Sequence, residues 1–216
     1  AFVPTMGALH EGHLTLVREA RKAADRVIVS IFVNPTQFAP HEDLSKYPRT
    51  LIADLELLAT EKVDAVFLPS DATMYPSGFQ TFVHGKGMAL TLEGVSRKHH
   101  FEGVLTVVLK LFNLVRPDIA FFGKKDYQQW RLIDQMVADL NLPIRIVGCE
   151  TKRESDGLAM SSRNRYLNPQ ERSLASALYQ GLTTAKSLFV QGDRNPESLL
   201  DACRTKLEEV PNLVVD

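Results

Sequence analysis

AFVPTMGALHEGHLTLVREARKAADRVIVSIFV, residues 1–33, reads as one complete β–α–β unit. "AFVP" is a short strand stub, and 12–24 carries Leu14, Val17, Ala20 and Ala24 at helical spacing. "VIVSIFV" (27–33) is an unbroken apolar run rich in β-branched residues, the pattern of a strand buried on both faces. Between the first strand and its helix lies "PTMGALHEGH" (4–13), with two glycines and two histidines at the mouth of the helix.

The alternation continues outward. A helical pattern at 49–61 precedes the strand-like "DAVFLP" (64–69). After a loop containing "YPSG", a long apolar helix covers 101–115 and "DIAFFG" (118–123) follows as a strand. A helix over 126–139 and the strand "PIRIVG" (143–148) complete the series. Strands joined by helix-length crossovers imply an α/β fold, a doubly wound parallel sheet with helices on both faces. Near 150 the character changes: "TKRESDGLAMSSRNRYL" (151–167) is polar and aperiodic, hence a loop. Asn168 and Pro169 then supply an N-cap and a first-turn proline for a helix reaching to 191, and "GDRNPES" separates it from another over 196–208. The expected division is therefore 1–150 and a small C-terminal domain, 151–216. The chain starts inside an apolar run and stops on the strand-like "NLVVD" (212–216), so the expectation is a fragment with the C-terminal domain truncated.

Composition narrows the function. With 216 residues, 44% apolar, and a net charge of −1, the chain can bury a sizeable core. That charge argues against a nucleic-acid coat or an anionic-membrane binder, and no apolar run approaches the ~18 residues of a membrane span. Cys149 and Cys203 lie far apart, without zinc or redox spacing, so a reduced cytoplasmic setting is expected.

The opening turn is placed for anion chemistry. In an open parallel sheet, ligands collect beyond the carboxyl ends of the strands, where "PTMGALHEGH" lies. Gly7 permits a tight turn, Gly12 permits close approach, and unpaired amides at a helix start favour negative charge. His10 and His13, three apart, face one side and suit a phosphate whose charge grows during reaction. A zinc protease would space its histidines four apart, and no third ligand is evident nearby. A helix-capping turn with incidental histidines is the plainer alternative. Neither Gly-x-Gly-x-x-Gly nor a P-loop is present in the stretch.

"PTMGALHEGH", "SIFVNPTQF", "KYPRT", "HHFEGV", "KLFNLVRPDIAFFGKKDYQQ" and "DGLAMSSRNRYL" together resemble the His-x-Gly-His adenylyl-transferring Rossmann-like enzymes, and more closely the pantoate–β-alanine ligases. The motifs span nearly the whole chain in the family's order. The resemblance implies ATP-dependent condensation of pantoate with β-alanine through a pantoyl adenylate, releasing AMP and pyrophosphate. It makes 1–150 the ATP- and pantoate-binding domain and 151–216 an incomplete lid. For ATP it implies Met6, Gly7, Ala8, Leu9, His10, Glu11, Gly12 and His13, then Gly123, Lys124, Lys125 and Asp126, then Lys152, Met160, Ser161, Ser162 and Arg163. His10, His13, Lys125, Ser161, Ser162 and Arg163 are the catalytic candidates, with His13 cast as a proton donor of ordinary pKa near 6.5. Many relatives carry a glutamate where Lys124 stands.

For substrate, the candidates are Gln37, Gln129, Asn34 and Tyr47; Asn34 and Gln37 end the second strand, and a glutamine can both donate and accept. "APHEDLSKYPRT" (39–50) is long enough for a mobile flap with Tyr47 as its anchor. Asp54 is the candidate magnesium ligand, although a helical aspartate ordinarily faces water. His99 and His100 precede a helix and either cap it or meet substrate; Arg153 and Asp156 suit a surface ion pair. The resemblance further implies Mg2+ with ATP and a homodimer. Other acceptors for the same histidine pair, a metal-dependent hydrolase, and a nucleotide sensor remain alternatives.

Overall fold

Strands β1 (Phe2–Thr5), β2 (Ile28–Ile31), β3 (Ala65–Phe67), β4 (Ile119–Gly123) and β5 (Arg145–Cys149) form one parallel sheet in the spatial order β3-β2-β1-β4-β5. The structure, a computed structural model, describes residues 1–211 and 213–215. From β1 the chain steps outward through β2 and β3, then returns to the other side of β1 for β4 and β5. Strand order therefore reverses between β1 and β4, which opens a crevice at their carboxyl ends.

Helices cover both faces. Val3, Val29, Ile119 and Phe121 pack with Leu16, Val17 and Ala20 of α1 (Glu11–Ala23) and Leu58 of α2 (Leu51–Thr60). Phe2, Ala120 and Phe122 point the other way. They meet Val104, Leu105, Val108 and Phe112, which belong to the long helix over His100–Val115, and Ile133 and Met136 on the helix over Tyr127–Asp139. Neighbouring strand residues thus enter different cores, which is why "VIVSIFV" and "IAFF" carry no polar alternation. Two short helices, α3 (Asp71–Met74) and α4 (Glu93–Ser96), interrupt the long connection after β3, so the His100–Val115 helix is α5 and the Tyr127–Asp139 helix α6. Helix α5 stops where Arg116 turns left-handed (φ 51°) and Pro117 follows, which cannot continue it.

The chain divides into two compact units, Ala1–Thr151 and the segment from Lys152 onward. In the second, the expected single helix to 191 is two: α7 (Pro169–Leu174) and α8 (Ala177–Val190). Ala175 and Ser176 keep right-handed backbone, but ψ values of −17° and −9° flatten the turn and break the i→i−4 ladder. Asn168 and Glu171 close a reciprocal capping box at the start of α7. α8 packs on α9 (Pro196–Glu208), where Gly181 leaves room for Cys203. The strand-like tail forms no strand over 213–215, and 212 and 216 lie outside the described residues.

Candidate active site

The turn between β1 and α1 is built from inward-facing amides. Gly7 (φ 79°) and Ala8 (φ 50°) are both left-handed, a conformation that glycine adopts freely and alanine only under constraint. The constraint is Asp54: its Oδ2 accepts from the Ala8 amide at 2.9 Å and its Oδ1 from Leu9 at 2.8 Å. The Gly7 amide donates to Thr5 Oγ1 at 3.2 Å. His10 then caps α1, its Nδ1 accepting from the Gly12 amide at 3.1 Å. His13 reciprocates, its Nδ1 accepting from the His10 amide at 3.3 Å. The rings lie 4.1 Å apart, centroid to centroid.

This geometry corrects two expectations. The amides of Gly7, Ala8, Leu9, His10 and Gly12 are engaged inside the protein, so they are not a row of unpaired donors awaiting an anion. A backbone N–H can only donate, so each Nδ1 must be unprotonated and Nε2 must carry the ring hydrogen. Burial first, then the repulsion that a second proton on the His10–His13 pair and the nearby Lys125 would bring, push the His13 imidazole from 6.5 down to about 3. His13 is therefore a neutral Nε2–H donor at physiological pH, in place of the imidazolium proton donor expected from the family.

The facing wall comes from β4 and β2. Gly123 ends β4, and Lys124, Lys125 and Asp126 form the turn into α6. Lys125 pairs with Asp126 at 3.1 Å and is near enough to lower the His13 pKa. Lys124 turns away, to Glu150 at 2.5 Å and over the Trp130 ring. Gln129 lies half-buried on the first turn of α6. Beyond β2, Gln37 donates from Nε2 to Met6 Sδ at 3.1 Å and accepts from Asn34 Nδ2 at the same distance. A thioether is a weak acceptor, so a carboxylate or hydroxyl oxygen would be a stronger partner for that N–H.

Asn34 and Tyr47 take supporting places. Asn34 is 1% exposed; its Oδ1 accepts from Tyr75 and Thr36, and its Nδ2 also reaches the Gly103 carbonyl. It thus orients Gln37 and leaves no face for substrate. Gly103, inside α5, lets the Thr36–Gln37 backbone approach: a Cβ there would lie 2.7 Å from the Gln37 nitrogen. Tyr47 is buried edge-on against Phe38, as the anchor of 39–50. That segment is also tied by Glu42, which Arg97 grips at 2.8 and 2.7 Å and thereby holds below the usual carboxylate range.

Asp54 is the largest revision. It was expected to hold magnesium, but it is 1% exposed, and Ala8, Leu9 and the Thr50 hydroxyl all donate to it. Among the described residues no group of three His, Cys, Asp or Glu side chains is placed to hold a metal ion. The same finding leaves His10 and His13 without a third ligand for a hydrolase. His100 is buried, with Nδ1 2.9 Å from the Gln37 carbonyl oxygen and Nε2 3.1 Å from Arg97, so it braces Gln37. His99 is the exposed N-cap residue of α5 and caps nothing with its side chain. A small concavity bounded by Gln37, Phe38, Glu42, Lys98 and His100 adjoins this brace.

The remaining candidates belong to the second unit. Lys152 gives its carbonyl to the Met160 amide, and Ser161 caps a short turn by accepting from the Arg163 amide at 3.2 Å. Ser162 is buried and Arg163 exposed. Arg153 and Asp156 do not pair with each other: Arg153 lies over the Tyr179 ring, and Asp156 pairs with Arg172 at 2.5 Å.

Comparison with known proteins gives this geometry a family. The family model described as pantoate-beta-alanine ligase matches residues 1–216. The pantothenate synthetase of Syntrophotalea carbinolica is 53% identical over 216 residues, 100% of this chain and 76% of that protein. That of Mycolicibacterium smegmatis is 58% identical over 215 residues, 99% of this chain and 68% of that protein. Among solved structures, the Thermus thermophilus pantothenate synthetase superposes with a TM-score of 0.95 at 48% identity, covering 97% of this chain and 76% of its own. The Francisella tularensis pantoate-beta-alanine ligase, complexed with beta-gamma ATP and β-alanine, gives 0.82 at 42% identity, covering 95% and 77%. No helix among the described residues is long and apolar enough to cross a membrane. With the doubly wound sheet and the histidine pair at its switch point, these matches establish that the chain belongs to the pantoate–β-alanine ligase family, a family of enzymes.

Proposed function

We propose that this chain condenses pantoate with β-alanine through a pantoyl adenylate formed from ATP. The observation that carries the reading is the meeting of two Nε2–H imidazoles and Lys125 beyond adjacent strands β1 and β4. In the first step a pantoate carboxylate oxygen bonds to the α-phosphorus as the bond to the β-phosphate oxygen breaks, and pyrophosphate leaves. Gln37 and Gln129 hold pantoate, while His10 and His13 donate to phosphate oxygens as their charge rises. Lys125 supplies a fixed positive charge to the same oxygens. Donors already locked by their Nδ1 bonds need little reorganisation at that moment, which is where positioning lowers a barrier. In the second step the β-alanine nitrogen bonds to the acyl carbon, the carbon–oxygen bond to AMP breaks, and the amine loses a proton.

Ser161, Ser162 and Arg163 are proposed to receive the departing phosphates, with the second unit acting as a lid. Magnesium enters as the ion of the ATP co-substrate, carried by phosphate oxygens and water. The proposal includes a homodimer in the cytoplasm, a setting that suits the free thiols of Cys149 and Cys203. The test is pyrophosphate release from ATP and pantoate, with and without β-alanine. A burst without the amine, with free AMP appearing only when β-alanine is added, is expected. Pyrophosphate release that needs β-alanine, or AMP retained on the acid in its presence, would refute the reading.

A further inference from the structure

We propose that Asp54 is a positioning residue of the adenylation step, the clamp that holds the histidine-bearing turn in its reactive shape. The inference rests on the proposed use of His10 and His13. Asp54 is almost fully buried, and no cation pairs with it among the described residues. Burying a carboxylate that way is costly, and the three donors around it are what offset the cost. What the charge gains is geometry. Two oxygens accept two successive amides, those on either side of Ala8, and so hold Ala8 in the left-handed conformation that it shares with Gly7. The next residue is His10, whose amide and Nδ1 interlock with His13. The carboxylate approaches closely because position 7 lacks a side chain: a Cβ there would be 3.1 Å from Oδ2. Thr50 Oγ1, at 3.1 Å from Oδ1, orients the carboxylate from its own helix.

The sharpest probe is Asp54→Asn in the full chain, because an amide keeps the size and offers one acceptor where two amides need partners. In pyrophosphate release, kcat should fall about tenfold to a hundredfold, with KM for ATP and pantoate changed less than about threefold. The deficit should be equal at low and high Mg2+. A folded variant with the parent kcat would overturn the proposal. So would a deficit erased by raised Mg2+, which would assign Asp54 to the metal. If the variant does not fold, Thr50→Val replaces it: it removes one of three donors and keeps the charge. It should lower kcat about threefold at unchanged KM, and an unchanged kcat would overturn the clamp. Should the parent chain itself release no pyrophosphate, the functional reading fails separately. The clamp is then read from the His13 Nε2 resonance, which shifts in Asp54→Asn if Asp54 positions the ring and stays fixed if it does not.

Discussion

Replacing His13 separates what the ring does for the fold from what it does for the reaction. His13→Ala removes the Nδ1 acceptor of the His10 amide, a long bond of 3.3 Å. A lost cap costs about 0.5–2 kcal/mol, and the length of this one places it near the lower end. In a chain of this size that lowers Tm by about 2–4 °C per kcal/mol. The same change removes the Nε2–H, and loss of one charge-stabilising donor slows chemistry about 10²–10³-fold, or about 2.7–4 kcal/mol. Catalysis should therefore suffer far more than folding. His13→Gln sharpens the contrast. A glutamine at the third helical position can reach back to the capping amide, so stability should recover to within about 0.5 kcal/mol of the parent. Activity should not recover, because an amide carries donor and acceptor on one carbon, whereas imidazole presents them on opposite sides of a ring. Single-turnover pyrophosphate release and thermal melts measure both. Either variant forming adenylate within about threefold of the parent rate would refute the reasoning, as would a rate loss that merely tracks the melting curve.

Three further outcomes follow from the same geometry. The His13 pKa is lower folded, about 3, than unfolded, 6.5, so the unfolded chain binds the extra proton between those values. The fold therefore loses stability through His13 as pH falls from 6.5 toward 3, by at most about 1.4 kcal/mol per unit and less for a partly open ring, and loses none above 6.5. Urea unfolding from pH 7 to 5 in the parent and in His13→Gln checks this, and equal slopes would contradict it. Gly103→Ala should push the Thr36–Gln37 turn off α5, raising KM for pantoate and destabilising by about 1–3 kcal/mol; an unchanged KM would remove Gln37 from the site. Gln37→Ala should weaken pantoate binding, seen by calorimetry, and leave ATP binding intact; a purely ATP-side defect would contradict its place.

The sheet was legible because its strands are buried on both faces, which writes them as apolar runs such as "VIVSIFV". The histidine pair was legible from spacing and position, but the use of each Nδ1 was not. That depends on which residue caps α1, and an end shift of one residue changes every partner. Asp54 was hidden by a misleading pattern. In "LIADLELLA", Leu51, Ile52 and Leu55 are 45%, 77% and 37% exposed, while Asp54 and Leu58 share the buried face. Hydrophobicity thus pointed the helix outward, and only the i, i+4 pairing of Asp54 with Leu58 carried the true orientation. The Glu42–Arg97 tie spans 55 residues, a separation at which local patterning carries no signal.

The account rests most directly on the protonation of two rings, which two-bond 1H–15N correlation of the imidazoles reads without reference to turnover. His10 and His13 should both appear as Nε2–H tautomers at pH 7, and His13 should stay neutral on acidification to pH 5. Adding ATP with Mg2+ should shift both Nε2 resonances and leave the Nδ1 pattern unchanged. A His13 that titrates as an imidazolium near 6.5, or Nε2 resonances indifferent to the nucleotide, would contradict the claim that neutral, pre-locked donors form the adenylation site.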